Sequence, residues 1–217
     1  MLGGHNLAAV GAWIRASKEE ESDLDDPVNE GVPALKEWAA ICKSLLAGEQ
    51  IITLRKGGIR EEGRRFSVPY ESFALYPTFA HQDGALLKPA YARWVTDPPN
   101  PMASEIKGFC TVTEIFKIQS EEALAAIDSM HIWNRAYVLE RLAWKPRQPL
   151  WVLALQAYLL EEPRSVAHRS EYEGCKSWIQ LTENLELRGN PVLPQEVFDL
   201  KLDALRRAIR PYVLEDS

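Results

Sequence analysis

The hydrophobic period changes abruptly around Gly48, and that change restricts the chain to folds that mix helix with sheet. Behind Pro33, a residue suited to a first helical turn, Leu35, Trp38, Ile41, Cys42, Leu45 and Leu46 recur at helical spacing. Gly48 is a natural stop for that helix. Ile51, Ile52, Thr53, Leu54 and Arg55 then follow a period of two, rich in β-branched residues, and run into Lys56-Gly57-Gly58-Ile59. The expected local structure is a helix, a turn, then a strand entering a tight turn.

The same reading continues along the chain. Residues 66–68 and 73–79 look extended, interrupted by Pro69 and Pro77, which favour edges and turns. Asp97-Pro98-Pro99-Asn100-Pro101 is the clearest loop and divides the chain into two halves. Thr111 to Ile118 reads as a strand, and Ser120-Glu121-Glu122 opens a helix with Leu124, Ile127 and Met130 inward. Residues 136–144 and 151–160 form a candidate antiparallel pair, although the Leu- and Ala-rich composition of the second segment also suits a helix. Residues 172–181 suggest another strand. A last helix over 194–209 would bury Val197, Leu200, Leu205, Ala208 and Ile209, with Arg206, Arg207 and Arg210 at its C-terminal end, where cations favour the helix dipole. The expected class is α+β, with a mixed, mostly antiparallel sheet or partly open barrel and packed helices.

Length and charge set the outer limits. At 217 residues the chain suits one large domain or two small ones, and a core of that size needs neither metal nor disulfide to hold it. We expect a flexible acidic extension over residues 1–31 and a single domain over 32–217. Seven acids against Arg15 and Lys18 give the first 31 residues a net charge of −5, which leaves about −1 of the total −6 for the body. The body is therefore nearly neutral, and its overall charge favours no class of partner. Three cysteines without a Cys-x-x-Cys pair argue against a disulfide framework, and no run of about eighteen apolar residues suggests a membrane span. A cytoplasmic location and no membrane partner are the corresponding expectations.

The segments Gly48-Glu49-Gln50 through Arg55-Lys56-Gly57-Gly58-Ile59, then Leu75-Tyr76-Pro77-Thr78-Phe79 with His81-Gln82, and later Tyr172-Glu173-Gly174-Cys175-Lys176-Ser177-Trp178, resemble in order a prokaryotic family described as domain of unknown function 1802. The likeness spans roughly residues 34–182. It implies membership but brings no assigned catalytic or binding residues. More locally, Leu45-Leu46-Ala47-Gly48-Glu49-Gln50 leading to Arg55 is similar to the helix, glycine turn and strand of ASCH domains, a PUA-like barrel class linked to RNA.

Chemistry concentrates in three places. Arg55, Lys56, Arg60, Arg64 and Arg65 outnumber Glu61 and Glu62 beside Gly57 and Gly58. Backbone N–H groups in a glycine turn with guanidinium forks make an anion cradle. A solvated hairpin whose charges keep an edge soluble has the same composition. His81 sits in a polar loop and is the candidate catalytic general base or a hydrogen-bonding partner for a ligand, with a structural loop histidine as the plain alternative. Cys175 and Lys176 lie between two aromatics; Lys176 joins the anion-binding candidates, and Cys175 reads as a structural thiol. No spacing of His, Cys, Asp or Glu matches a metal site, and no cofactor is named by any motif.

Three function classes stay open. One is a module binding a nucleotide or nucleic acid through Arg55, Lys56, Gly57, Gly58, Arg60 and Lys176. The second is an enzyme on a phosphate-containing substrate, nuclease or phosphoesterase-like, with His81 as acid or base. That alternative requires His81 and the basic segment to line one pocket. The third is a scaffold or interaction protein using the acidic extension.

Overall fold

The protein is described by a computed structural model covering residues 31–56, 70–174, 176–183 and 185–214. The first described element is a strand, β1 (Val32–Trp38), leading directly into helix α1 (Ala39–Leu46). Strands β2 (Ile52–Arg55), β3 (Ser72–Thr78) and the long β4 (Ala103–Ile118) follow. Then come α2 (Glu121–Ala126), α3 (Arg135–Ala143), β5 (Leu150–Ala167), β6 (Trp178–Leu181), β7 (Gly189–Pro191) and α4 (Gln195–Ile209). The fold is α+β. Among the described residues, seven strands form one mixed sheet, ordered β2-β5-β4-β3-β1-β6, with β7 pairing β5 beyond β2. The sheet is antiparallel except for the β1–β3 pair, which runs parallel, and it is not closed.

The strand at Val32–Trp38 replaces the first half of the expected helix. Helical spacing of the apolar residues was satisfied there, but Ala34 and Leu35 are both fully buried on opposite faces, between β3 and β6. Pairing to both neighbours decides the conformation, and those neighbours lie far along the chain. Only Ala39–Leu46 is helical, with Ala40, Ile41, Ser44 and Leu45 buried. Gly48 ends this turn at φ +69°, a left-handed conformation that a residue with a Cβ adopts only under strain.

A second difference lies at residues 135–167. The 136–144 segment, expected as a strand, is α3: the Asn134 side chain caps it by accepting from the Tyr137 N–H at 2.8 Å. The Leu- and Ala-rich segment is the strand β5, whose partner is β4, with Ile118 opposite Leu150 and Ala103 opposite Ala167. Residues 150–155 are buried on both faces, so composition suited to a helix is overridden by sheet packing. The β4–β5 register shifts twice, with extra residues on β5 between the Ile106–Arg164 and Gly108–Leu159 pairs and on β4 between the Val112–Leu155 and Glu114–Ala154 pairs, which adds twist to the ribbon. Gly108 admits the close approach of α1: a Cβ there would lie 2.4 Å from Leu46 Cδ2. At the C-terminal end, α4 buries Phe198, Leu202, Leu205 and Ile209, whereas Leu200, expected inward, is 69% exposed.

The residues between β6 and the 170s also differ from the expected strand. Ser170–Tyr172 is a 3₁₀ turn and only Trp178–Leu181 is extended. The larger core lies between the sheet and α1, α2 and α4, around Leu35, Ile41, Phe73, Leu75 and Leu205. A smaller core on the other side gathers Ala34, Tyr76, Phe109, Tyr172 and Leu181. Strands β1 and β3 thus separate two apolar masses, and their carboxyl ends project together from between them. None of the described helices is long and apolar enough to cross a membrane.

Candidate functional site

At those carboxyl ends the parallel strands leave a crevice, the place where ligands enter many α/β sheets. The cleft has a volume of about 680 Å³. One wall is the end of β1, Lys36-Glu37-Trp38, beside the end of β3 from Tyr76 to Thr78 and the turn through Phe79, Ala80 and His81. Arg55 at the end of β2 and Arg141 of α3 contribute from one side. Ser104 near the start of β4, His168 just beyond β5 and the segment around Arg169, Tyr172, Gly174 and Lys176 close the other.

The floor is an ordered polar cluster. Glu37 Oε2 accepts from Arg55 Nη1 at 2.9 Å and from Thr53 Oγ1 at 3.1 Å, and Oε1 accepts from the Trp38 N–H at 3.0 Å. The two charged side chains are each 11% exposed. An ion pair this sheltered survives because hydrogen bonds serve both carboxylate oxygens. Thr78 Oγ1 donates to the Glu37 carbonyl at 3.1 Å, tying the ends of β1 and β3 across their register.

Above the floor the charge is mostly positive. Lys36, Arg55, Arg141, Arg169 and Lys176 line the cleft against Glu37 and Glu173, in a chain whose net charge is −6. Lys36 Nζ donates to the carbonyls of Tyr172 at 2.5 Å and Gly174 at 2.9 Å, and Lys176 Nζ donates to the Glu171 carbonyl at 3.0 Å. These bonds hold both ammonium groups against the 171–174 turn. Gly174 supplies that turn at φ +79°. The Tyr172 hydroxyl anchors it from below through Thr182 at 3.1 Å and Glu183 at 3.0 Å.

His81, exposed at the rim, adopts φ +62°, a left-handed conformation uncommon outside glycine but enriched in histidine. Across the cleft, Ser104 Oγ lies 3.0 Å from His168 Nε2. Burial pushes the Tyr76 phenol above its ordinary pKa, so it remains protonated at neutral pH. Two aromatic faces, Trp38 and Phe79, are half-buried in the lining; Trp38 packs against Tyr137 with ring centroids 5.3 Å apart.

Of the residues singled out from sequence, Arg55, His81 and Lys176 come together in this cleft. Lys56 does not line it: its side chain is buried, and Nζ donates to the Leu142 carbonyl at 2.6 Å. Burial pulls its pKa below the ordinary lysine value. Gly57, Gly58, Arg60 and Cys175 lie outside the described residues. Sequence reasoning passed over Lys36 and Glu37 because their segment read as helix. Ser104 and His168 carry no signal in the sequence, since the two partners are 64 positions apart. Among the described residues, no group of three or more His, Cys, Asp or Glu is arranged to hold a metal ion. Cys42 and Cys110 are free, and burial raises both thiols.

A family model described as "Domain of unknown function (DUF1802)" matches residues 34–204. The chain belongs to the DUF1802 family. The match extends beyond the sequence resemblance into α4 and includes every residue of the cleft lining, so the cleft is built from the DUF1802 domain itself. No curated protein matches the chain. Solved structures similar to it include the ASCH protein of Zymomonas mobilis, at 14% identity and a TM-score of 0.41 over 80% of this chain and 94% of that one. A single-residue variant of the same Zymomonas mobilis protein aligns at 11% identity and a TM-score of 0.44, over 82% of this chain and 97% of that one.

Proposed function

We propose that the DUF1802 cleft of this protein binds a phosphate-bearing ligand of the nucleotide type, either a free nucleotide or a short single-stranded stretch of nucleic acid. The observation that supports this most is the convergence of Lys36, Arg55, Arg141, Arg169 and Lys176 on one concave space whose lining holds the acids Glu37 and Glu173, with Arg169 paired to Glu183 at 3.5 Å. Cations outnumber acids in the lining, five to two. Charge-assisted hydrogen bonds to phosphate contribute about 1.5 to 3 kcal/mol each. A volume of about 680 Å³ lies in the range of small-ligand sites and suits one or two nucleotides. Trp38 and Phe79 favour a ligand with a flat ring over inorganic phosphate, since stacking a base on an aromatic contributes about 1 to 3 kcal/mol.

The test is fluorescence anisotropy with a labelled single-stranded RNA hexamer, competed with nucleoside mono-, di- and triphosphates across a salt series. Binding is expected to weaken steeply with salt, and Lys176→Glu is expected to weaken it at least 10-fold at low salt. Competition by a mononucleotide at similar affinity identifies a free nucleotide as the ligand. Failure of every probe to bind at low salt removes the proposal.

A further inference from the structure

We propose that Ser104 and His168 form a nucleophile and general-base pair that hydrolyses an acyl ester, the alcohol part of which carries the phosphate bound by the cleft. Only the identity of that alcohol rests on the function proposed above; the pair itself rests on separate contacts.

The pair is assembled by the β4–β5 ribbon. Ser104 stands opposite Val166 in the register, and His168 follows the end of β5, where its N–H donates to the Met102 carbonyl at 2.9 Å. This places the imidazole beside the hydroxyl, with Nε2 at 3.0 Å from Oγ. A hydroxyl has one proton to donate, and the other acceptor within reach, the Pro77 carbonyl, is farther at 3.4 Å. With Nδ1 carrying the ring proton, His168 Nε2 accepts from Ser104, the arrangement that activates a serine. Ser104 is 2% exposed in the cleft lining, whereas His168 is open to solvent. A recessed oxygen suits a slim trigonal acyl carbon better than a phosphorus shielded by four oxygens.

The chemistry balances with water as the only co-reactant. Ser104 Oγ bonds to the acyl carbon while its proton passes to His168 Nε2; the ester C–O bond breaks and the departing alkoxide takes that proton. Water then adds to the seryl ester, giving its proton to His168. The Oγ–C bond breaks, the carboxylic acid leaves, and Oγ recovers a proton from the imidazole.

Two probes report on this directly: turnover of p-nitrophenyl acetate, and covalent labelling by a fluorophosphonate, which forms an Oγ–P bond with loss of fluoride and is located by peptide mass spectrometry. We expect the label on Ser104, with labelling and turnover both abolished in Ser104→Ala. In His168→Gln we expect rates to fall by about 100-fold or more, the usual contribution of a general base, with circular dichroism unchanged. Added imidazole is expected to restore part of the turnover lost in His168→Gln and to leave Ser104→Ala inactive; a merely structural histidine would not produce that split. Ser104→Cys serves as a second variant, since it keeps a nucleophile in place and is expected to react with iodoacetamide in a His168-dependent manner. Turnover and labelling that persist in Ser104→Ala, or that are absent altogether, overturn the pair while leaving nucleotide binding standing. Labelling of Ser104 in a protein that binds no nucleotide upholds the pair and removes the function proposed above.

Discussion

Two buried titratable groups in this protein have opposite surroundings. Glu37, at the cleft floor, has both carboxylate oxygens hydrogen-bonded and a guanidinium against it. His131, 3% exposed in the larger core, has neither ring nitrogen in a hydrogen bond of good geometry among the described residues. Its pKa is pushed down to about 4, first by burial and next by the Lys88 ammonium. Asp128 and the nearby backbone of Trp133 and His131 oppose that shift only in part. Lys88 itself donates to the His131 carbonyl at 2.7 Å and pairs with Asp128 at 3.5 Å. The cleft retains charge inside the protein by satisfying it; the core admits an imidazole only while it is neutral. A fold that discharges one site and organises the other has the cleft as the place where charge is kept for use.

The contrast can be broken first at Arg55. Arg55→Ala leaves the Glu37 carboxylate sheltered without its cation, and is expected to lower stability by about 3 to 5 kcal/mol in urea denaturation. Replacing both partners with methionine is expected to cost less than the single change, because no unpaired charge then remains. A double variant as unstable as Arg55→Ala would show that packing and not charge dominates at the floor.

The next largest effect is the pH response of His131. Its folded pKa lies below the ordinary value of about 6.5, so the unfolded chain takes up the proton first as pH falls. The stability that neutral His131 permits is complete above about pH 6.5 and is lost progressively between there and about pH 4. The loss should total about 3 kcal/mol. Thermal melts across that range are expected to show a steeper acid decline in the natural protein than in His131→Leu; parallel curves would contradict the assignment. The smallest effect concerns a site with no buried charge. Ser120 Oγ accepts from the Ala123 N–H at 3.2 Å at the start of α2, and Ser120→Ala is expected to cost about 1 kcal/mol.

Local signals were legible in the sequence and distant ones were not. The period-two run became β2, and Ser120-Glu121-Glu122 became a capped helix start, because the residues that determine each lie within a few positions. Val32–Trp38 reads as helix in isolation and is a strand because β3 and β6 flank it. The same physics governs the site. Arg55, His81 and Lys176 could be picked out by charge and loop position, whereas Glu37 was concealed by the helical reading, and Ser104 meets His168 only through the register of β4 and β5. The bulk of the α4 face was correctly hydrophobic in kind but rotated: Phe198 and Leu202 are inside, and Leu200 is out.

The central claim, a cationic cleft that takes a nucleotide-type ligand beside Trp38, is tested most directly by following the indole N–H resonances of the seven tryptophans during titration with a mononucleotide. The expected result is a saturable shift of Trp38, at the cleft wall, with Trp151 of β5 unmoved. Saturable shifts confined to tryptophans away from the cleft, or none at any concentration, would contradict it.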